Sequence, residues 1–185
     1  FSDKFGAKGC FFGVNGASGL IQSAVIAMAN PGENILMPRN VHISVIKICA
    51  MQNINPIFFD LEFSTITGHY KPITKIWLEN VFKKLNFDEN KIAGVILVNP
   101  SYHGYAGDLE PLIDCCHQKN LPVLVDEAHG SYFLFCENLN LPKPALSSNA
   151  DLVVNSLHKS LNGLTQTAVL WYKGNLINED NLIKS

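Results

Sequence analysis

Two segments of this chain each join a short apolar run to a cluster of chemically reactive side chains. In the first, Leu121-Pro-Val-Leu-Val-Asp-Glu-Ala-His-Gly130, the run ends at the carboxylate Asp126. The second, Asp151-Leu-Val-Val-Asn-Ser-Leu-His-Lys-Ser160, leads to the amine Lys159. Short apolar runs bounded by polar residues are typical of strands buried in a parallel sheet. We therefore predict that Asp126 and Lys159 lie at the carboxyl ends of two strands of one sheet.

A carboxylate and a lysine in this arrangement are what pyridoxal phosphate (PLP) chemistry requires. The lysine holds the cofactor aldehyde as a Schiff base, and the carboxylate keeps the pyridine nitrogen protonated, so that the ring can withdraw electrons. Apolar runs flank Lys159, which argues against an ordinary surface lysine. A purely structural Asp126 is disfavoured, because an unpaired buried carboxylate is costly. The pair therefore predicts a PLP site.

The rest of the chain alternates strand-like and helix-like segments with short connections, which predicts an α/β domain with a mainly parallel sheet. The predicted strands are 11–14, 34–37, 56–59, 92–98, 122–125, 152–155 and 168–172, and the predicted helices are 20–28, 42–51, 72–85 and 109–118. Residues 63–70 are predicted to form a turn-rich excursion. In such sheets the ligand lies beyond the carboxyl ends of the strands. Polar clusters follow five predicted strands, at 15–18, 39–42, 99–103, 126–129 and 156–159.

Three of these clusters leave two interpretations open. The segment Asn15-Gly-Ala-Ser-Gly19 is either a phosphate cup, built from Ser18 and the amides of Gly19 and Leu20, or a plain strand-to-helix turn with Ser18 as N-cap. His42 either lies flat against an aromatic ring or simply stands near a helix start. Tyr102 and His103 either face a substrate or belong to a proline-containing turn.

Charge and motif composition exclude several classes of protein. The net charge of −2 gives no electrostatic reason to expect binding to nucleic acid or to a membrane. The string Asp-Glu-Ala-His after an apolar strand is also the metal-binding box of one helicase group. That interpretation requires an upstream phosphate loop with GK[ST] and arginine-rich surfaces, whereas this chain has no such loop and one arginine, Arg39. Nucleotide-driven helicase activity is therefore disfavoured.

Cysteine usage and hydropathy bear on location and on metals. The five cysteines contain no CxxC pair, which disfavours a disulfide framework or a zinc site and fits a reducing cytoplasm. His129 and His158 lack the spacing of metal ligands, so no metal site is predicted. Apolar stretches are all well short of the ~20 residues that a membrane span needs.

Five motifs agree in order and spacing with one enzyme family. They are Val14-Asn-Gly-Ala-Ser18, Pro38-Arg-Asn-Val-His42, Val98-Asn-Pro-Ser-Tyr-His-Gly104, Val125-Asp-Glu-Ala-His-Gly130 and Ser156-Leu-His-Lys-Ser160, the last followed by Leu164-Thr-Gln-Thr167. Together they resemble the fold-type I PLP enzymes and, more closely, the catalytic large domain of the Orn/Lys/Arg decarboxylase family. The resemblance implies a three-layer α/β/α fold of the PLP-dependent transferase type, the aspartate aminotransferase fold. We expect residues 1–185 to be this large domain, as a fragment without the family's amino-terminal segment and carboxy-terminal small domain.

The same resemblance implies a role for each candidate residue. Lys159 would carry the cofactor, Asp126 would pair with the pyridinium nitrogen, and His42 would stack on the ring. The residues implied at the phosphate are Ser18, Ser156 and His158, with help from Gly19. Ala128 would pack near the other face of the ring, and His129 would touch the ring oxygen. The family's phosphate loop often has more hydroxyl residues than this one.

The function that the resemblance implies is decarboxylation of a basic amino acid, namely arginine, lysine or ornithine. The products would be CO2 and an amine for polyamine metabolism, made by a cytoplasmic homodimer or larger homo-oligomer. Two alternatives stay open. Another fold-type I enzyme, such as an aminotransferase, lyase or aldolase, would share Lys159 and Asp126 but break a different bond. A truncated, inactive chain would bind PLP weakly or serve only as an assembly partner.

Overall fold

The structure is a computed structural model that describes residues 2–85, 91–136, 139 and 141–185. Its strands are β1 (Gly9–Gly13), β2 (Asn34–Pro38), β3 (Asn55–Phe59), β4 (Phe63–Ser64), β5 (His69–Tyr70), β6 (Ile92–Val98), β7 (Val123–Asp126), β8 (Leu152–Ser156) and β9 (Ala168–Tyr172). Its α-helices are α1 (Gly16–Met28), α2 (Ile43–Met51), α3 (Lys75–Lys84), α4 (Glu110–His117), α5 (Leu157–Ser160) and α6 (Glu179–Lys184). Two short 3-10 helices cover Ser2–Phe5 and Ser131–Phe135.

Seven strands form one sheet in the order β1-β9-β8-β7-β6-β2-β3. The four neighbouring pairs from β8 to β3 are parallel, and β9 runs antiparallel to both β1 and β8. The prediction of a mainly parallel sheet is therefore confirmed. Because β9 alone is reversed, the carboxyl ends of the other six strands meet at one edge of the sheet, which is where the polar clusters were expected.

Apolar side chains of the central strands point alternately to two cores, as the period of a strand requires. In β6, Val95 and Leu97 pack into the core that contains α3 and α4. Ile96, between them, packs into the core that contains α1 and α2. All three are buried, and full burial of such a side chain contributes about 1.5–3 kcal/mol. The sheet is thus covered on both faces, and the three-layer α/β/α prediction is confirmed.

Two helices begin three or four residues away from the starts that the sequence predicted. Helix α1 begins at Gly16, four residues before the predicted start, and the Gly16 N–H donates to the carbonyl of Gln166 at 2.7 Å. Gly16 has a φ of +68°, a conformation that glycine adopts without steric cost. Helix α3 begins at Lys75 rather than at Pro72, because the Thr74 side chain caps it by accepting the N–H of Trp77 at 3.3 Å.

Three further elements refine the sequence prediction. The predicted excursion at 63–70 contains the antiparallel pair β4 and β5. The polar segment near residue 180 forms α6, which is capped by Asn178 and packs on α1 through the buried Leu182. One helical turn, α5, follows β8 directly and carries Lys159. Among the helices that the structure describes, none is long and apolar enough to cross a membrane.

Candidate active site

A cleft opens at the carboxyl edge of the sheet, and six of the nine predicted site residues line it. They are Ser18, His42, Asp126, Ala128, His129 and Lys159. They come from the first turn of α1, the β2–α2 connection, the segment after β7 and the turn α5, so that four separate parts of the chain converge. Polar residues from several strand ends therefore lie together at this edge, as the sequence predicted.

Asp126 is the last residue of β7 and is only 7% exposed. Its Oδ1 atom accepts the N–H of Ala128 at 3.1 Å, which leaves Oδ2 for a donor in the cleft. Burial raises the pKa of the Asp126 carboxyl, while the Ala128 N–H and the electrostatic influence of Lys159 and His42 act in the opposite direction. A buried carboxylate is stabilised by a positively charged hydrogen-bond donor, because the donor offsets the cost of burying the negative charge. A protonated pyridine nitrogen is such a donor.

Lys159 contacts His129 across the cleft, with 3.1 Å between Nζ and Nε2. Lys159 is exposed, whereas His129 is half-buried. Burial lowers the pKa of the His129 imidazole, and the nearby charges of Lys159 and His42 lower it further. The imidazole is therefore neutral at neutral pH, and its Nε2 lone pair can accept a hydrogen bond from the lysine amine.

The ring of His42 is held in one orientation at the start of α2. Its Nδ1 atom accepts the N–H of Ser44 at 3.2 Å and lies 2.8 Å from the Ser44 hydroxyl. Since a backbone N–H can only donate, Nδ1 carries no proton, and the hydrogen of the neutral ring is on Nε2. The exposed imidazole, fixed in this way, lines the cleft, as stacking on a cofactor ring would require.

His158 lies beside the first turn of α1. Its Cε1 atom would be 3.9 Å from a Cβ placed on Gly16, and its Nδ1 atom is 3.0 Å from the carbonyl of Thr167. Because a carbonyl only accepts, Nδ1 carries the proton, and Nε2 donates only when the ring is doubly protonated. The free N–H groups at the start of α1 therefore lie near the His158 imidazole. That is a suitable environment for a phosphate.

Gly19, Ser156 and His158 are not among the described residues that line the cleft. Because α1 begins at Gly16, the N–H of Gly19 falls within the helical hydrogen-bond pattern, and the free amides are those of Ala17 and Ser18. Ser156 is completely buried, with its hydroxyl 3.3 Å from Nδ1 of His158. Its position suits holding His158 better than meeting a ligand directly.

Two further polar residues line the cleft: Asn40, which the sequence interpretation did not single out, and Tyr102, whose role it left open. Asn40 lies in the predicted 39–42 cluster, which was the available signal, and its buried Oδ1 has no hydrogen-bond partner among the described residues. Tyr102 was open between substrate and turn; it is 79% exposed, and its ring is 5.4 Å from that of His129 in a T-shaped contact. Arg39 instead forms an ion pair with Asp60 at 2.6 Å.

The residues that line the cleft fit PLP. Asp126 has an oxygen available for the ring nitrogen, Ala128 supplies a small buried wall, and Lys159 supplies the amine. His42 and Ser18 stand on the other sides of the same cleft. Among the described residues, no group of three or more His, Cys, Asp or Glu side chains is placed to hold a metal ion.

Comparison with known proteins identifies the family. The family model described as "Orn/Lys/Arg decarboxylase, major domain" matches residues 1–185. Arginine decarboxylase from Bacillus cereus is 38% identical over 174 residues, which are 94% of this chain and 36% of that protein. Arginine decarboxylase from Bacillus subtilis is 35% identical over 181 residues, or 98% of this chain and 36% of that protein. The chain thus spans about a third of the length of the curated relatives that it matches.

Solved structures agree on the fold. The constitutive lysine decarboxylase of E. coli superposes with a TM-score of 0.82 at 18% identity, over 99% of this chain and 26% of that chain. A SepCysS–SepCysE N-terminal domain complex superposes with a TM-score of 0.78 at 18% identity, over 100% of this chain and 46% of that chain. The matched family and these neighbours are PLP-dependent enzymes. The chain therefore belongs to the Orn/Lys/Arg decarboxylase family, with PLP as its cofactor.

Proposed function

We propose that residues 1–185 form the PLP-binding major domain of a decarboxylase that acts on arginine, lysine or ornithine. The products are CO2 and an amine that enters polyamine metabolism. One observation carries the proposal: Asp126 and Lys159, which follow the adjacent parallel strands β7 and β8, line one cleft. Family membership supports it, and the B. cereus and B. subtilis relatives are named arginine decarboxylases.

The chemistry that PLP supplies when bound is electron withdrawal from the substrate through its protonated ring. Asp126 maintains that state, because a buried carboxylate accepts the hydrogen of the pyridine nitrogen and is stabilised by doing so. The Ala128 N–H, which donates to Oδ1 of Asp126, keeps the carboxylate oriented.

Lys159 and His129 divide the handling of protons. Lys159 anchors the cofactor covalently and must present an unprotonated amine to do so. The neutral Nε2 of His129 lies 3.1 Å from Nζ, where it can accept a hydrogen bond from the amine and take up protons while the cofactor is attached. After the carboxylate has left, a proton must return to the substrate carbon, and Lys159 or His129 is placed to deliver it.

The remaining residues orient the cofactor. His42, fixed through Ser44, would stack on the ring, and Ala128 would pack against it from the wall of the cleft. Ser18 and the free amides of α1 bind the phosphate, with His158 and Gly19 beside them and Ser156 supporting His158. No described arginine lines the cleft, since Arg39 is paired with Asp60, so this part of the chain places no guanidinium where it would retain the departing carboxylate.

Assembly and location are part of the proposal. Lys159 and His42 are exposed in a single copy, and a second copy of the chain in a homodimer or larger homo-oligomer would exclude water from them. All five cysteines lie in the described part of the chain and are free thiols, which suits a reducing cytoplasm.

Product analysis tests the proposal. Purified protein with added PLP is incubated separately with arginine, lysine and ornithine, and CO2, amine and keto acid are quantified. We expect CO2 and the matching amine from at least one substrate, loss of both products in Lys159→Ala, and full activity in the exposed-surface control Lys47→Ala. Formation of a keto acid without CO2 would indicate an aminotransferase instead of a decarboxylase. Equal CO2 release by Lys159→Ala would contradict the assignment.

A further inference from the structure

Glu127 is completely buried although it directly follows Asp126. Because successive side chains of an extended segment point to opposite faces, Glu127 points away from the cleft that Asp126 lines. Its Oε1 atom accepts the N–H of Ala145 at 2.8 Å, and its Oε2 atom accepts Nδ2 of Asn155 at 3.0 Å. A carboxyl in the interior is therefore bonded at both oxygens, directly behind the proposed partner of the cofactor.

The network continues through Asn155 to Trp171. The Trp171 indole N–H donates to Oδ1 of Asn155 at 2.8 Å, and both residues are buried. An indole N–H only donates, so it fixes Oδ1 towards Trp171 and the NH2 group towards Glu127. The same Nδ2 atom also lies 3.2 Å from the main-chain carbonyl of Glu127. The donor and the acceptor of each hydrogen bond from Trp171 through Asn155 to Glu127 are therefore fixed.

Both main-chain polar groups of Glu127 are hydrogen-bonded. Its N–H donates to the carbonyl of Val154 in β8 at 3.0 Å, and its carbonyl accepts the N–H of Gly130 at 2.9 Å. A Cβ on Gly130 would lie 2.9 Å from Cγ of Glu127, so the turn that carries Ala128 and His129 packs tightly against the Glu127 side chain. Any movement of Glu127 is thus transmitted to the cleft residues before and after it.

We propose that Glu127 is a positioning residue, which, held by Asn155 and Trp171, fixes the turn from Asp126 to Gly130 against the cofactor. The inference rests on the proposed function, because it concerns the alignment of Asp126 with the ring nitrogen. Glu127 does not touch the cleft; it acts through the position of its neighbour. A displacement of a reacting or supporting group by about 1 Å lowers the rate roughly a hundredfold. A buried network that holds Asp126 in place therefore has a large effect on the rate.

The test uses the protein loaded with PLP that carries 15N in its ring, because the 15N chemical shift reports the protonation of the ring nitrogen. The variants are Glu127→Ala and, as a milder change two side chains away, Trp171→Phe. The control is Asp151→Asn, which alters another buried carboxyl: Oδ2 of Asp151 accepts the N–H of Val123 and lies near His117, both at 2.8 Å. Asp151 precedes β8 and therefore lies at the sheet edge opposite the cleft.

We expect the ring-nitrogen signal of Glu127→Ala to move towards the unprotonated value, and that of Trp171→Phe to move in the same direction by less. Turnover should fall roughly a hundredfold in Glu127→Ala, with the Michaelis constant changed by less than about threefold. Asp151→Asn should keep the wild-type shift. A wild-type shift in PLP-loaded Trp171→Phe and Glu127→Ala would overturn the inference and leave the proposed function intact. Absence of a protonated ring nitrogen in the wild type would overturn both.

Discussion

The Nζ atom of Lys159 lies 3.1 Å from Nε2 of His129, although the two residues are 30 positions apart in the chain. The contact is made because β7 and β8 are adjacent and parallel, so that the segments after them meet at one edge of the sheet. His129 has a lowered pKa and stands as a neutral acceptor beside the amine. The contact joins the segment that contains Asp126 to the segment that contains Lys159.

Replacing His129 should slow the covalent capture of PLP. His129→Asn removes the imidazole beside Lys159, and a general base that moves protons during capture contributes roughly a hundredfold. Stopped-flow measurement of the visible absorption band of the bound cofactor would give the capture rate. In the wild type the rate should fall as the pH drops through the lowered pKa of His129, whereas the variant should lose this step of the profile. His117→Asn, on α4 and outside the cleft, is the control, and an unchanged rate in His129→Asn would remove the acceptor role.

Asp126→Asn should impair the chemical step more than cofactor binding. An amide cannot hold the ring nitrogen in its protonated state, so kcat/KM should fall by at least about a hundredfold, or about 3 kcal/mol of barrier. The dissociation constant for PLP, measured by fluorescence titration, should change by less than about tenfold. Asp114→Asn, on an exposed position of α4, serves as the matched control. A rate within about tenfold of the wild type, ~1.4 kcal/mol, would mean that Asp126 has another role.

Glu127 should make stability depend on pH. Burial is the main cause that raises the pKa of this carboxyl from 4.5 to about 8, and the charge of Asp126 adds to it. The folded state then binds more protons than the unfolded state between these two values, so the free energy of unfolding falls as pH rises through the window. The slope should approach roughly 1 kcal/mol per pH unit.

Urea unfolding of the wild type and of Glu127→Gln at several pH values measures this slope. The variant should show a flatter profile in the window, and it should be less stable at the acidic end, because its NH2 group faces the donors Ala145 N–H or Asn155 NH2. Asp126 titrates in both proteins, so the difference between the two profiles isolates Glu127. Parallel profiles would show that Glu127 does not change its charge in this range.

Gly130→Ala should destabilise the turn after β7. A Cβ at this position would lie 2.5 Å from Cδ of Pro100 and 2.9 Å from Cγ of Glu127, and both neighbours are confined. Overpacking of this kind costs about 1–3 kcal/mol in the free energy of unfolding. Gly19→Ala is the control, since its Cβ would meet only Cβ of Asn15, at 3.3 Å, and alanine favours the helix. Equal stability of Gly130→Ala and the wild type would indicate that the turn adapts freely.

The sequence predicted the main strands and helices in their order along the chain and the edge of the sheet at which the site lies, because apolar runs and the polar residues after them follow the pattern of burial. It predicted Asp126 and Lys159 for the same reason. It did not predict the burial of Glu127: of these two adjacent acidic residues, Asp126 lines the cleft, as predicted, and Glu127 is buried behind it. That choice depends on the register of β7 against β8, which is a property of the sheet.

The start of α1, where the phosphate is proposed to bind, also differs from the sequence prediction. The start of α1 was expected at residue 20, since the helical pattern of apolar residues begins there. In the structure it begins at Gly16, because the N–H of Gly16 bonds to the carbonyl of Gln166, about 150 residues later in the chain. A long-range bond of this kind leaves no local signal, and it moves the free amides from Gly19 to Ala17 and Ser18.

The most direct test of the central claim is the site of covalent PLP attachment. Purified protein is mixed with PLP, reduced with borohydride and digested, and the labelled peptide is identified by mass spectrometry, with Lys159→Ala and Lys47→Ala treated in parallel. The account predicts one stoichiometric label on Lys159, loss of that label in Lys159→Ala and its retention in Lys47→Ala. Stoichiometric labelling of a different lysine in the wild type, or no labelling at all, would contradict it.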